Sequence, residues 1–328
     1  MLDVLSIIAP LFVLLGVGIV AGFSKRFRDA QSGLNAFVFN FSLPAFIFVA
    51  VAGAPISDGL PLAFIWLTLG GTAAVYFVVY FAAVVRWKFS KSRKNMVLPG
   101  PLGIASTYGN VGYLGVPIVM SVFGADAALA AALGQLLHNV LFMVGYPLLK
   151  SFDGGQRDRS EGHGKAMSGT LWRVFKRSIL LSPIMVSVVA GVLVSLLGAQ
   201  VPEMLTTSIE MFGDAAVPVA MFAVGLTVKP AFDGVFSGGV PIGAVLLSSA
   251  VKLLVLPLAT LGLALLIGGD LTPIWIAAAV VMAAMPVSST ASIVVFEYDG
   301  DVRLVAAVTL VTSLGAILTI PLMITLLP

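Results

Sequence analysis

Ten stretches of mostly apolar residues, each long enough to cross a bilayer, take up most of this chain and dictate what it can fold into. They run over 4–22, 34–53, 61–85, 100–122, 125–149, 178–199, 207–228, 239–267, 272–296 and 303–327. A hydrocarbon core of about 30 Å needs about 20 apolar residues at the 1.5 Å rise of a helix. Segments such as LFVLLGVGIV and AFIFVAVAG lack the alternating polarity of a membrane β-barrel, so a bundle of helices is expected. Charged residues make up 10% of the chain, against about 25% in a soluble domain. That excludes a soluble enzyme. The absence of cysteine excludes disulfides, thiolate catalysis and zinc–cysteine sites.

The positive charges orient the bundle. Lys25, Arg26 and Arg28 follow stretch 1; Arg86, Lys88, Lys91, Arg93 and Lys94 follow stretch 3; a basic cluster runs from Lys150 to Arg177; Lys229 and Arg303 follow stretches 7 and 9. The positive-inside rule makes these loops cytoplasmic and places both termini outside. The segment MLDVLSIIAP has no basic n-region, so it reads as a first span rather than a cleaved signal. The tryptophans Trp66, Trp87, Trp172 and Trp275 lie mostly near span ends, as an interfacial belt requires.

The polar loop 150–177, which contains GGQRDRSEGHGK, divides the chain into 1–149 and 178–328, five spans each. Pro10 and Gly18 recur as Pro183 and Gly191, Asn40 and Pro44 as Asp214 and Pro218, and Pro147 as Pro321, all at nearly one offset. An odd number of spans per repeat forces the second half to enter from the opposite side. The result is an inverted repeat, an architecture of secondary transporters.

Stretch 4 reads TYGNVGYLGVPIVM and stretch 9 reads AAMPVSSTASIVVF. Proline removes a helical hydrogen bond and glycine loosens the backbone, so both helices should break near the midplane. Broken backbone at that depth survives only where protein or a water-filled cavity covers it. The half-helices after the breaks would present free N–H groups and positive dipole ends to an anion. Asn110, Ser288, Ser289 and Thr290 would add neutral donors, with Tyr108 and Tyr113 flanking the break. Ordinary proline kinks and small-residue packing faces would leave the same traces.

Here the residues themselves carry a resemblance. GNVGYLGVP in stretch 4, a proline in stretch 9, NFSLP in stretch 2 and the five-plus-five layout make the whole chain similar to the auxin efflux carrier family, whose bacterial members include malonate and malate permeases. The resemblance implies an all-α membrane fold like that of sodium/proton antiporters and bile acid symporters, with spans 4 and 9 broken and crossing. It implies a scaffold of spans 1, 2, 6 and 7 that dimerises, and a mobile transport domain of spans 3–5 and 8–10. By position, Asn110, Gly112 and Pro117 match the first crossover, and Pro286 with Ser288 the second. The short central loop favours a bacterial inner-membrane permease over a plant exporter.

Ionisable groups within spans are costly and want partners. Lys252, in span 8, is expected to pair with Asp214 of span 7, with Glu210 one turn away and Asn40, the repeat mate of Asp214, nearby. The pair would be an ion-linked switch, a fixed structural bridge, or absent if Lys252 snorkels. His138 and Asn139 in span 5, close to Gln135, would line the path or shuttle a proton, or His138 would be a hydrogen-bonded core residue. Sodium/proton antiporters of this fold place a carboxylate there, and its absence disfavours proton antiport. His163, in the central loop, reads as solvated.

The functional expectation is a secondary carrier of small organic anions, malonate- or malate-like carboxylates or auxin-like acids, working by elevator-type alternating access at the crossover of spans 4 and 9. The alternative is a sodium- or proton-coupled symporter or antiporter of the same fold. An anion channel is separable from a carrier only by its flux. An enzyme is disfavoured because no G-x-S-x-G, H-E-x-x-H or phosphate-loop pattern occurs. No cofactor, metal or nucleic-acid partner is expected.

Overall fold

A computed structural model describes residues 2–53, 61–90, 96–146, 181–229, 232, 240–267, 269, 271–297 and 302–327. The central loop 150–177, with His163 and Trp172, lies outside them, as do Lys91, Arg93, Lys94 and Pro147.

The described residues form helices connected by short turns. In chain order these are α1 (Leu2–Ala21), α2 (Lys25–Phe37), α3 (Leu43–Ala52), α4 (Leu62–Ile65), α5 (Gly71–Phe89), α6 (Pro99–Thr107), α7 (Val116–Phe123), α8 (Ala128–Val140), α9 (Pro183–Leu197), α10 (Glu203–Asp214), α11 (Ala216–Leu226), α12 (Ile242–Ala250), α13 (Leu256–Ile267), α14 (Pro273–Ala283), α15 (Ser289–Glu297) and α16 (Val302–Thr325). Taken across their internal irregularities, six helices are long and apolar enough to span a bilayer. Four shorter apolar helices, Ala9–Ala21, Val111–Phe123, Pro183–Leu197 and Pro273–Ala283, accompany them.

Wide π turns interrupt more helices than the two expected. They occupy Val38–Ser42, Trp66–Gly70, Val111–Gly115, Leu141–Gly145 and Val251–Val255. Four of them end two residues before a proline in the sequence: Pro44, Pro117, Pro147 and Pro257. A proline offers no N–H to the carbonyl four residues back, and its ring collides with that carbonyl. Widening the preceding turn by one residue relieves both problems. The first π turn joins α2 to α3, and the last joins α12 to α13. At the corresponding place in stretch 7, Ala215 separates α10 from α11.

Packing divides the helices into two groups. α1 lies chiefly on α11, and α3 on α9 and α10. α5 lies on α6, α14 on α8 and α13, and α16 on α6, α12 and α15. Gly18 of α1 and Gly225 of α11 face each other so closely that a Cβ on Gly18 would meet the Phe222 carbonyl and one on Gly225 the Leu15 carbonyl. Glycines let two backbones approach to van der Waals contact, the main attraction between helices where water supplies none. The Lys229 ammonium lies over the Phe23 ring at 5.9 Å. The ends of stretches 1 and 7 are therefore on the same side, as the charge pattern requires.

Candidate functional site

Stretches 4 and 9 are each two helices with a short extended link, and the links meet. Gly109 and Val287 form an antiparallel bridge. The Asn110 N–H donates to the Pro286 carbonyl at 2.7 Å, and the Ser288 N–H to the Tyr108 carbonyl at 3.0 Å. The Gly109 N–H donates to Nε2 of His138 at 2.9 Å. The Val287 N–H donates to Oγ1 of Thr312 at 3.0 Å. These bonds correct one expectation: the breaks do not present bare amides wholesale, because unpaired backbone polar groups at this depth cost several kcal/mol each. Two N–H groups, those of Val111 and Gly112, are left without a protein acceptor. Asn110 secures the turn that holds them, since its Oδ1 accepts the Tyr113 N–H at 3.3 Å and its carbonyl those of Leu114 and Gly115.

Both free N–H groups border a cavity of about 460 Å³. Asn110, Gly112, Tyr113, Asn139, Ser288 and Thr290 line it as expected. Asn40 also lines it, although the sequence pattern assigned that residue to the Asp214 pair. Pro117 and Pro286 are buried away from the cavity and shape the backbone instead. Backbone donation places His138 behind Gly109, outside the lining. The Ser289 side chain lies outside the described residues.

More of the lining comes from Ser182, which sequence spacing does not point to, and from Pro183, the repeat mate of Pro10. Ser182 and Pro183 open α9, where the Ser182 hydroxyl accepts the Met185 N–H at 3.1 Å. A serine followed by proline is a helix-start signal, so this element was within reach of the sequence. Three helix N-termini thus border one cavity: those beginning at Val111, Pro183 and Ser289. Gln135 joins them from α8, 2% exposed, with Oε1 lacking a hydrogen-bond partner. Its amide lies against Gly112, where a Cβ would stand 2.8 Å from Nε2. A side chain at Gly112 would push the Gln135 amide aside.

Lys252 is fully buried, and its Nζ donates to the Ala283 carbonyl at 2.7 Å. That carbonyl belongs to the last residue of α14, so the ammonium meets the negative end of a half-helix. The same Nζ packs against Gly109, where a Cβ would stand 2.9 Å away. Asp214 and Glu210 are exposed on α10, and no described carboxylate lies within bonding distance of Lys252. The expected Asp214–Lys252 pair is therefore not formed in this conformation. Helices α10 and α12 are neighbours in sequence but belong to different packing groups. Every Asp or Glu whose exposure is described lies at the surface. The one buried formal charge among the described residues is thus a cation beside the cavity.

The family model for "Membrane transport protein" matches residues 3–324. A protein named "Putative malonate transporter" from Rhizobium meliloti (strain 1021) is 28% identical over 322 residues, covering 98% of this chain and 94% of that protein. An uncharacterized transporter from Methanothermobacter thermautotrophicus is 24% identical, over 90% of this chain and 88% of its own length. The uncharacterized transporter YfdV of Escherichia coli (strain K12) is 22% identical, over 95% and 94%. Paired breaks, a buried cation and a family match along nearly the whole length agree: this chain belongs to the membrane transport family whose motifs it carries, that of the auxin efflux carriers.

Proposed function

We propose that the cavity between the two links is the substrate site of a secondary transporter for small organic anions, with malonate-like carboxylates as the substrate class. The observation that carries this reading is the presence of two N–H groups without a described acceptor, on Val111 and Gly112, together with a buried Lys252 that no described carboxylate neutralises. Preorganised donors in a low-dielectric site favour an anion without the reorganisation that water would need. The relative named for malonate supports the choice of class.

The ten apolar stretches act as ten spans in two inverted five-span repeats, with stretches 4 and 9 crossing at their links. α1, α2, α3, α9, α10 and α11 serve as a scaffold that dimerises, and the helices of spans 3–5 and 8–10 move against it as an elevator. The cavity lies between the groups, since Asn40 and Ser182 come from one and Asn110 and Gln135 from the other. Both termini face outward from a bacterial inner membrane.

The test is counterflow of labelled malonate in proteoliposomes. A carrier exchanges label against unlabelled anion and saturates; a pore gives linear flux without exchange. Lack of any malonate exchange, with exchange of a neutral or cationic solute instead, overturns the assignment.

A further inference from the structure

His138 occupies a position from which a proton and an anion would sense each other. Its Nε2 accepts the Gly109 N–H, so that nitrogen carries no proton in this conformation. The ring is buried against Tyr108 and Phe142, at centroid distances of 5.4 and 4.9 Å. On its other side is a small cavity of about 20 Å³, lined by His138 with Thr68, Thr72 and Thr260. That is room for one water molecule, with polar partners to hold it. The titratable groups around the imidazole are Tyr108 and Tyr113 from the first interrupted stretch and Lys252, against Gly109, from the Val251–Val255 turn. The segments with Thr68, Thr72 and Thr260 and the end of α14 bring hydroxyls and backbone only. No described carboxylate is buried beside it.

We propose that His138 is the proton site of this carrier, so that anion and proton bind cooperatively and cross together. The inference rests on the transport reading above. A proton arriving at Nε2 takes up the lone pair that now accepts the Gly109 N–H, and that bond is lost. Gly109 lines the anion cavity on one side and bonds His138 on the other, so a proton on the imidazole and an anion in the cavity act on the same link. The imidazolium also lies near the Lys252 ammonium, and two buried like charges disfavour each other unless an anion stands between or beside them. The bound carboxylate supplies that negative charge. When it leaves, the imidazolium loses its compensation, releases its proton and recovers the Gly109 N–H. Linkage makes the coupling reciprocal: a proton tightens anion binding as much as the anion tightens proton binding.

The experiment is calorimetric binding of malonate to the purified protein in buffers of different ionisation enthalpy, which counts protons. The wild type is expected to take up about one proton per malonate, with affinity falling about tenfold per pH unit on the alkaline side. In His138→Gln the carboxamide oxygen keeps an acceptor for Gly109, and malonate binding is expected to take up no proton and to lose that slope. Methanedisulfonate, whose two sulfonates take up no proton, provides a check that needs no variant: uptake that persists with it in the wild type belongs to the protein. Undiminished proton uptake in His138→Gln, or malonate binding by the wild type without uptake, overturns the proposal and leaves the transport assignment standing. A wild type that neither binds nor exchanges malonate overturns the assignment itself.

Discussion

The two links occupy corresponding places in the halves of the chain, yet they are held in opposite ways. The first, 108–110, is followed by a loosened π turn that leaves two N–H groups facing the cavity, with Asn110 fixing the turn. The second, 284–288, has its amides drawn inward, Val287 to Thr312 and Ser288 to Tyr108, and Lys252 holds the carbonyl at its upstream end. One link presents donors and the other braces them. Two similar interruptions can therefore end in different roles, because each is surrounded by different side chains.

Substitutions at each link would break or sharpen this contrast. The largest effect is expected from Lys252→Met, which removes the buried positive charge near the cavity; malonate counterflow should fall about a hundredfold or more. Retained exchange at near wild-type rates would show that the charge serves only the α14 terminus. Asn110→Ala comes next. Losing a helix cap costs about 1 kcal/mol of stability, so the protein should stay folded in detergent while saturable uptake drops by more than about tenfold. Equal losses in uptake and thermal stability would place Asn110 with the bracing elements instead. Thr312→Val orphans the Val287 N–H and should lower unfolding stability by about 1–3 kcal/mol, with malonate affinity within about twofold of wild type; a selective loss of affinity would dissolve the distinction between the links. The smallest effect is expected at Asp214→Asn, an exposed position away from Lys252, where the change in stability should stay within about 0.5 kcal/mol. A large loss there, measured by thermal unfolding, would mean that Asp214 reaches Lys252 in another conformation.

Much of this was legible in the residue pattern. Pro286 and the glycines of GNVGYLGVP announced two interruptions, and Asn110, Gly112, Ser288 and Thr290 do line the cavity between them. The prolines also held a signal that periodicity alone passes over, since Pro44, Pro117 and Pro257 each follow a widened turn. Lys252 stands out by its cost inside a span, and the sequence points for its partner to Asp214 on the neighbouring span 7. Its actual partner is a backbone carbonyl of α14, and side-chain chemistry gives no hint of a carbonyl. The sequence does not separate a lining from a core position for His138 for the same reason: its partner is the N–H of Gly109, 29 positions away in sequence. Ser182 is unremarkable in the sequence until the cavity brings it to Gln135 and Asn139.

By itself, the sequence determined that this is a membrane chain and where several of its helices fail, because hydropathy and prolines act locally or over the length of one span. Tertiary structure alone decided which broken ends meet, which amides remain unpaired and what neutralises a buried charge. Those outcomes depend on distances between helices far apart in the chain, where a shift of an ångström separates a bonded N–H from one free to receive an anion.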